Sequence, residues 1–97
     1  MNTEQINHLC CELNDGWQVS NDQTTITRTI ETKNYTEAMS ITQIVALLAE
    51  KENHHPDICL GWGYCRISFT THSSKGLTEL DFRCAKKLDT LILTLTK

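Results

Sequence analysis

A short stretch at residues 50–56 organises this chain and reads Glu50-Lys51-Glu52-Asn53-His54-His55-Pro56. It places two adjacent histidines directly before the only proline in the sequence. Because a proline disfavours helical backbone at the residue before it, the preceding helical pattern should end near Asn53 or His54. The two imidazoles would then lie on a turn between a helix and a strand, partly open to solvent. Histidine exchanges protons near neutral pH, so this turn is a candidate acid–base site.

Two further residues are predicted to join the turn. Glu50 precedes His54 by four residues, and a continuous helix would place its carboxylate one turn away, where it can orient the imidazole. His72 follows what reads as the end of a strand. We therefore expect the rest of the chain to bring His72 to His54 and His55.

The composition describes one ordinary globular domain over residues 1–97. Hydrophobic residues make up 39% and charged residues 22%, and a chain of this length is too short for two domains. A net charge of −3 argues against a nucleic-acid surface, which needs a basic stripe. No apolar run reaches the length of a membrane span, and the N-terminus lacks signal-peptide character. We expect a cytoplasmic protein with no nucleic-acid or membrane partner.

Five cysteines are present, an odd number that includes an adjacent pair: Cys10, Cys11, Cys59, Cys65 and Cys84. This usage suits reduced thiols that serve as small apolar residues in a cytosolic protein. No Cys-x-x-Cys motif occurs, so a zinc ribbon or a thioredoxin-like site has no support.

Periodicity predicts the order of the structural elements. Apolar spacing and turn residues indicate a helix up to Leu13, strands at 17–20 and 24–32, a helix at 35–53, strands around Ile58–Leu60 and at 64–71, and a last helix from Thr78. Asn34 and Thr78 are the predicted helix caps, with Glu37 and Asp81 at the capping-box positions. The order α-β-β-α-β-β-α predicts an α+β fold, a four-stranded antiparallel sheet with three helices on one face.

The alternating strand and the helical stripes indicate which surfaces are buried. In strand 64–71, Cys65, Ile67 and Phe69 should face the core while Arg66, Ser68 and Thr70 face outward. The buried stripe of the second helix is predicted to comprise Ala38, Ile41, Ile44, Val45, Leu47 and Leu48. That of the last helix is predicted to comprise Leu80, Cys84, Leu88 and Leu91.

Three histidines with an acidic helper would suit catalytic zinc, but the spacing argues against a metal site. Adjacent histidines point in different directions, and the sequence has no His-Glu-x-x-His. A simpler alternative is that His54 and His55 only stabilise a helix C-terminus through the helix dipole. In the same way Asp81 is explained as a helix cap, and Trp17 and Trp62 as packing residues.

The spacing of these residues resembles the signature of the pterin-4a-carbinolamine dehydratase family, also known as dimerisation-cofactor proteins. The matching elements are, in order, Glu50, His54-His55-Pro56, Trp62, His72 and Asp81. The flanks are similar as well, at Gly16-Trp17, at residues 34–39 and at residues 76–81. One departure is Trp62, where the family more commonly has tyrosine between two glycines. It does not affect a histidine.

The resemblance implies a lyase that dehydrates 4a-hydroxytetrahydropterins without a metal or another cofactor. By analogy with the family, the catalytic residues would be His54, His55 and His72: His54 and His72 would donate and accept protons, and His55 would hold the pterin and assist. Glu50 would orient His54, and Thr70 and Thr71 would offer backbone groups to the pterin. Asp81 would support the site or cap its helix, and Trp17 is a further candidate for substrate binding or for support of the site.

The resemblance also implies self-association, since family members form dimers and some form tetramers. An open sheet with unprotected edges and the aromatic residues Trp62 and Tyr64 favour a homodimer joined through strands or the sheet face. Some members bridge a dimeric transcription factor, so a protein-binding adaptor is the alternative function. The presence of all three histidines favours the enzyme.

Overall fold

The structure, a computed structural model, describes residues 1–95 and has the predicted α+β architecture. Its elements are α1 (Thr3–Cys10), β1 (Trp17–Val19), β2 (Ile26–Glu31), α2 (Tyr35–Glu52), β3 (Asp57–Gly61), β4 (Tyr64–Phe69), a 3₁₀ turn at His72–Ser74, and α3 (Glu79–Leu95). The predicted order α-β-β-α-β-β-α is confirmed.

The four strands form one antiparallel sheet in the spatial order β1-β2-β4-β3. The central pair is β2 and β4, with Ile26 opposite Phe69, and β3 pairs with the other side of β4. The edges of the sheet are therefore the short β1 and β3. The predicted alternation of β4 is confirmed, since Cys65, Ile67 and Phe69 are buried while Arg66 is exposed.

The three helices cover one face of this sheet. A single cluster of buried residues joins Ile6 of α1, Val45 of α2 and Leu88 of α3 to Ile67 of β4. Burying apolar surface from all three helices against the sheet is the main stabilising term for a domain of this size. Within residues 1–95, no helix is both long enough and apolar enough to cross a membrane.

Two details at the helix ends differ from the predictions. The first helix ends at Cys10, because Leu13 N–H bonds to Cys10 O at 3.0 Å in a tighter turn, although Leu13 is still buried. At the start of α2, the Asn34 side chain accepts from Glu37 N–H at 2.8 Å as predicted. The Glu37 carboxylate, however, accepts from Lys33 N–H at 3.2 Å instead of closing the capping box on Asn34.

The predicted burial of Leu47 and Leu91 is wrong. Leu47 is 72% exposed and Leu91 is 40% exposed. Both line an open groove of about 600 Å³ whose walls belong to α2 and α3. A helix that packs on one sheet buries only the stripe that faces it, and these two leucines lie beside that stripe.

The cysteines divide into buried and exposed thiols. Cys65 and Cys84 are fully buried and act as small core residues, whereas Cys11 and Cys59 are exposed and Cys10 is half-buried. The prediction that all of them serve as apolar packing residues is therefore wrong for Cys11 and Cys59. Burial raises the pKa of the Cys84 thiol from its ordinary value of 9.0 to about 11.

This division predicts the order in which the thiols react. At pH 8 an alkylating reagent should modify Cys11 and Cys59 rapidly, because only an accessible thiolate is nucleophilic. Modification of Cys84 requires unfolding and should be slower by about 10³-fold or more, as expected for a domain of ordinary stability. Mass spectrometry of timed samples measures both rates, and denatured protein, in which all thiols react, is the control. Equal rates for Cys84 and Cys11 would contradict the buried position of Cys84.

Candidate active site

The end of α2 places both histidines by its cap geometry. The helix ends at Glu52, and Asn53 takes a left-handed conformation with φ 50° and ψ 43°. The Asn53 N–H bonds to the last carbonyls of the helix, and the His54 N–H returns to Ala49 O at 3.0 Å. Asparagine is one of the few residues other than glycine that adopt this conformation readily. The predicted helix end is confirmed, and the backbone of His54 is anchored by hydrogen bonds to the helix.

His54 forms a close pair with the carboxylate of Asp81. The distance from His54 Nε2 to Asp81 Oδ1 is 2.5 Å, and the side chains are 10% and 0% exposed. The His54 ring also stacks on Phe69, with the ring centroids 5.8 Å apart and an angle of 11° between the planes. One edge and one face of the imidazole are therefore held by neighbouring side chains.

Asp81 is both a helix cap and a partner of the site. Its Oδ2 accepts from Thr78 N–H at 2.9 Å, the capping bond at the start of α3. The same oxygen accepts from the Thr71 hydroxyl at 2.7 Å. Sequence left these two roles as alternatives, whereas the structure combines them, with one oxygen serving the cap and Thr71 and the other serving His54. A buried carboxylate requires such partners, since leaving it unpaired is costly.

Glu50 pairs with His55, so the prediction that it orients His54 is wrong. The distance from His55 Nε2 to Glu50 Oε2 is 2.5 Å, and the two side chains are 58% and 75% exposed. A spacing of four residues places Glu50 beside His54 only in a continuous helix. The left-handed residue Asn53 ends that helix before His54. Beyond Asn53, the His55 side chain contacts Glu50 in the last turn of the helix.

Thr71 connects His72 to the His54–Asp81 pair. Thr71 directly precedes His72 and bonds to Asp81, the partner of His54. The His72 side chain is exposed and forms no hydrogen bond within residues 1–95. The Thr71 backbone N–H bonds to Gly76 O at 3.2 Å. The Thr71 carbonyl accepts from the N–H groups of Ser74 and Gly76, so both backbone groups of Thr71 are already bonded within the protein. This disfavours the prediction that the Thr71 backbone contacts the pterin, and the same prediction for Thr70 is untested.

Trp17 supports the site from the core and does not line its surface. The indole is buried, and its ring lies 6.1 Å from that of Phe69, which in turn stacks on His54. The packing alternative stated for Trp17 agrees with this position. An 8% exposed side chain has little surface to offer a ligand directly.

The carboxylate of Asp89 on α3 accepts three hydrogen bonds from residues distant in the chain, and it was not identified from the sequence. Its carboxylate accepts from Asn14 N–H at 2.8 Å, from the Trp17 indole N–H at 2.8 Å and from the Arg28 guanidinium at 2.6 Å. These bonds tie α3 to the segment after α1 and to both strands of the first hairpin. No local pattern marks Asp89, because its partners are 61 to 75 residues away in the chain.

An open cavity of about 420 Å³ lies beside His55. Its walls combine an apolar surface with the exposed carboxylate–imidazole pair, and they are formed by Ala46, Ala49, Glu50, His55, Pro56 and Ile58. This volume falls in the range of small-molecule sites. The larger groove between α2 and α3 is lined by no histidine. Because it contains an imidazole and a carboxylate, the cavity beside His55 is the better candidate for a small-molecule site.

Charge pairing also holds the end of α2 against α3. The Lys87 ammonium donates to the Glu52 carboxylate, and this bond holds the pKa of Glu52 below its usual range. Within residues 1–95, no three His, Cys, Asp or Glu side chains come together as potential metal ligands. The structure brings together two imidazole–carboxylate pairs on one turn, the buried His54–Asp81 pair and the exposed His55–Glu50 pair, and His72 is connected to them through its neighbour Thr71. Such a set can donate and accept protons at more than one position on a bound molecule.

The known proteins to which this chain is similar in sequence share one family description. A family sequence model described as Pterin 4 alpha carbinolamine dehydratase matches residues 1–91. The chain is 44% identical over 93 residues to the "Putative pterin-4-alpha-carbinolamine dehydratase" of Legionella pneumophila (strain Corby), covering 96% of this chain and 82% of that protein. A protein of the same name from Nitrosomonas eutropha is 40% identical over 91 residues, covering 94% and 79%.

Two solved structures have a fold similar to that of this chain. A crystal structure of a transcriptional coactivator/pterin dehydratase from Brucella melitensis superposes with a TM-score of 0.85 and 32% identity, covering 93% of this chain and 95% of that one. A pterin dehydratase-like protein described as a RuBisCO assembly factor in the alpha-carboxysome has a TM-score of 0.67 and 19% identity, covering 80% and 90%. The second likeness concerns the fold alone.

Proposed function

Because the chain belongs to the pterin 4 alpha carbinolamine dehydratase family, we propose that it removes water from a 4a-hydroxytetrahydropterin to give the quinonoid dihydropterin. The observation that carries this proposal is the pairing of each of two adjacent histidines with its own carboxylate, His54 with Asp81 and His55 with Glu50. The reaction would serve pterin recycling, and its substrate is a small molecule that the site can hold without a cofactor.

The chemistry requires two proton transfers. The bond between C4a and the hydroxyl oxygen breaks with its electron pair going to oxygen, and the oxygen takes a proton from an acid and leaves as water. The proton on N5 goes to a base, and the N5 electron pair forms the double bond to C4a. Each positioned acid or base contributes about 10²–10⁴-fold to the rate. Imidazoles suit both roles near neutral pH.

The three histidines differ in what they can do. His54 is anchored and almost buried, so it is suited to a proton transfer in a fixed geometry. His72 is exposed and has no competing partner within residues 1–95, so its imidazole is available to the substrate. His55 lies on the wall of the cavity with Glu50 and is suited to holding the pterin. We assign proton transfer to His54 and His72, and binding to His55.

The test is a dehydration assay on the purified protein without added metal. The loss of a 4a-hydroxytetrahydropterin is followed by absorbance against its spontaneous rate, and we expect clear acceleration. The folded protein with His54 and His72 both changed to glutamine is the control for non-specific effects. A wild-type rate equal to the spontaneous rate would refute the proposal. Inhibition by a chelator would instead support the zinc alternative.

A second candidate function is protein binding. The groove between α2 and α3 exposes Leu47 and Leu91. Exposed apolar patches of this kind mark interaction surfaces. The related Brucella protein is described both as a transcriptional coactivator and as a pterin dehydratase. Weak dehydration combined with a tight complex with another protein would place the adaptor function ahead of the enzyme.

We also expect the protein to form a homodimer. The strands β1 and β3 are free edges of the sheet, and Trp62 between β3 and β4 is 67% exposed. Light scattering at micromolar concentration should give the mass of a dimer, and a monomer would contradict this prediction. A tetramer would indicate that a second surface associates, and Leu47→Glu in the groove should then reduce it to a dimer. Asn7→Glu, which adds the same negative charge at an exposed position on α1 that does not line the groove, is the control.

A further inference from the structure

The hydrogen bonds of Asp81 determine which nitrogen of His54 carries a proton. Thr78 contributes a backbone N–H to Oδ2, and a backbone N–H can only donate. The Thr71 hydroxyl donates to the same oxygen. Oδ2 is therefore an acceptor in both bonds. The remaining oxygen, Oδ1, faces His54 Nε2 at 2.5 Å. Because imidazole is intrinsically more basic than a carboxylate, the proton of this bond lies on Nε2.

The other ring nitrogen of His54 is open to solvent although the residue is nearly buried. Within residues 1–95, no buried side-chain nitrogen or oxygen lacks a hydrogen-bond partner. Nδ1 of His54 forms no hydrogen bond to any of these residues, since the ring bonds only through Nε2. It follows that Nδ1 lies within the 10% of the side chain that remains exposed. Phe69 covers one face of the His54 ring and Asp81 binds Nε2, so the ring can contact a ligand through the edge that carries Nδ1.

We propose that Asp81 is a positioning residue that holds neutral His54 as the Nε2–H tautomer, so that Nδ1 is the atom that exchanges a proton with the substrate. The identity of that substrate rests on the proposed function. When Nδ1 accepts a proton, His54 becomes an imidazolium that still donates from Nε2 to Asp81. The buried carboxylate then neutralises the new charge. When Nδ1 returns the proton to the departing oxygen or to water, the neutral Nε2–H tautomer is restored.

The tautomer can be measured in the free protein by NMR. With ¹⁵N-labelled histidine, the chemical shifts of the two ring nitrogens and their couplings to the ring protons distinguish Nε2–H from Nδ1–H. A His54→Gln variant assigns the signals. At a pH where His54 is neutral, we expect Nε2 to be protonated. A protonated Nδ1 would overturn the proposal. This outcome does not depend on activity, so it is distinguishable from failure of the dehydration assay.

The Asp81→Asn variant provides a sharper test because it should invert the tautomer. The backbone N–H of Thr78 and the hydroxyl of Thr71 require an acceptor, so the amide oxygen of asparagine should turn toward them. The amide NH₂ then faces His54 Nε2 and can only donate. Nε2 must accept, and the ring proton moves to Nδ1. Thr71→Val is the matched control, since it removes one donor and leaves the carboxylate in place; its His54 should remain Nε2–H.

Activity gives a second readout. In a serine protease, the same change from aspartate to asparagine beside a catalytic histidine keeps the geometry, fixes the wrong tautomer and lowers kcat by about 10⁴-fold. Here we expect Asp81→Asn to lower kcat by about 10²- to 10⁴-fold with little change in KM. An inverted tautomer with an unchanged kcat would overturn Nδ1 as the reacting atom. If Asp81→Asn does not fold, the NMR measurement of the His54 tautomer in the wild-type protein alone tests the proposal.

Discussion

Replacing His54 or His72 with alanine is expected to lower kcat for pterin dehydration by about 10²- to 10⁴-fold, with a smaller change in KM. The reason is that an acid or base acts in the transition state, whereas it adds little to ground-state binding. His55→Ala should instead raise KM more than it lowers kcat, since the His55 imidazole lies on the wall of the cavity and is held by Glu50. Steady-state kinetics on the three variants separates these effects.

A fourth histidine supplies the control for this series. His8 lies in the last turn of α1, is exposed and has no place in the site, so His8→Ala should keep the wild-type kcat and KM. Circular dichroism on each variant shows whether the fold is retained. If His54→Ala, His55→Ala and His72→Ala all keep the wild-type rate, the assignment of the site is wrong.

Asp89→Ala is expected to lower the free energy of unfolding by about 3 kcal/mol. The change removes one carboxylate and leaves the N–H of Asn14, the indole N–H of Trp17 and the guanidinium of Arg28 without their acceptor. The Arg28 and Asp89 side chains are only 13% and 16% exposed, so water replaces the carboxylate poorly. Urea denaturation should show a lower midpoint at an unchanged slope.

An exposed ion pair on the same helix is the matched control. Lys86 donates to Glu12 at 3.0 Å, and these side chains are 60% and 46% exposed. Glu12→Ala should therefore lower the urea midpoint much less than Asp89→Ala does, because solvent-exposed ion pairs add little to stability. If Asp89→Ala costs no more than Glu12→Ala, the three hydrogen bonds of Asp89 do not contribute to stability as a buried network.

Local patterns predicted the elements and several of their ends. Asn34 caps α2 through the N–H of Glu37, and Asp81 caps α3 through the N–H of Thr78. The alternation in β4 correctly separated Cys65, Ile67 and Phe69 from the outward residues. These successes share one cause. Caps, strand alternation and the effect of a proline act over four residues or fewer, so they are present in the sequence itself.

The partners of the site could be inferred only in part. The spacing of Glu50, His54-His55-Pro56, His72 and Asp81 predicted a set of site residues. The structure pairs His54 with Asp81, but the predicted pairing of Glu50 with His54 was wrong. One backbone conformation, the left-handed Asn53, decides that Glu50 meets His55. Sequence contains only a weak signal for that conformation, because asparagine adopts it in a minority of its positions.

By itself, therefore, the sequence determined the order of helices and strands, the position of the histidine turn and the family to which it points. Only the tertiary structure decided the strand order β1-β2-β4-β3, the burial of Asp81 against His54 and the role of Asp89. It also decided that Leu47 lies outside the core. The physical reason is distance along the chain: His54 and Asp81 are 27 residues apart and Trp17 and Asp89 are 72 apart. Contacts at such separations depend on how whole elements pack, and packing is a property of the assembled core rather than of any local pattern.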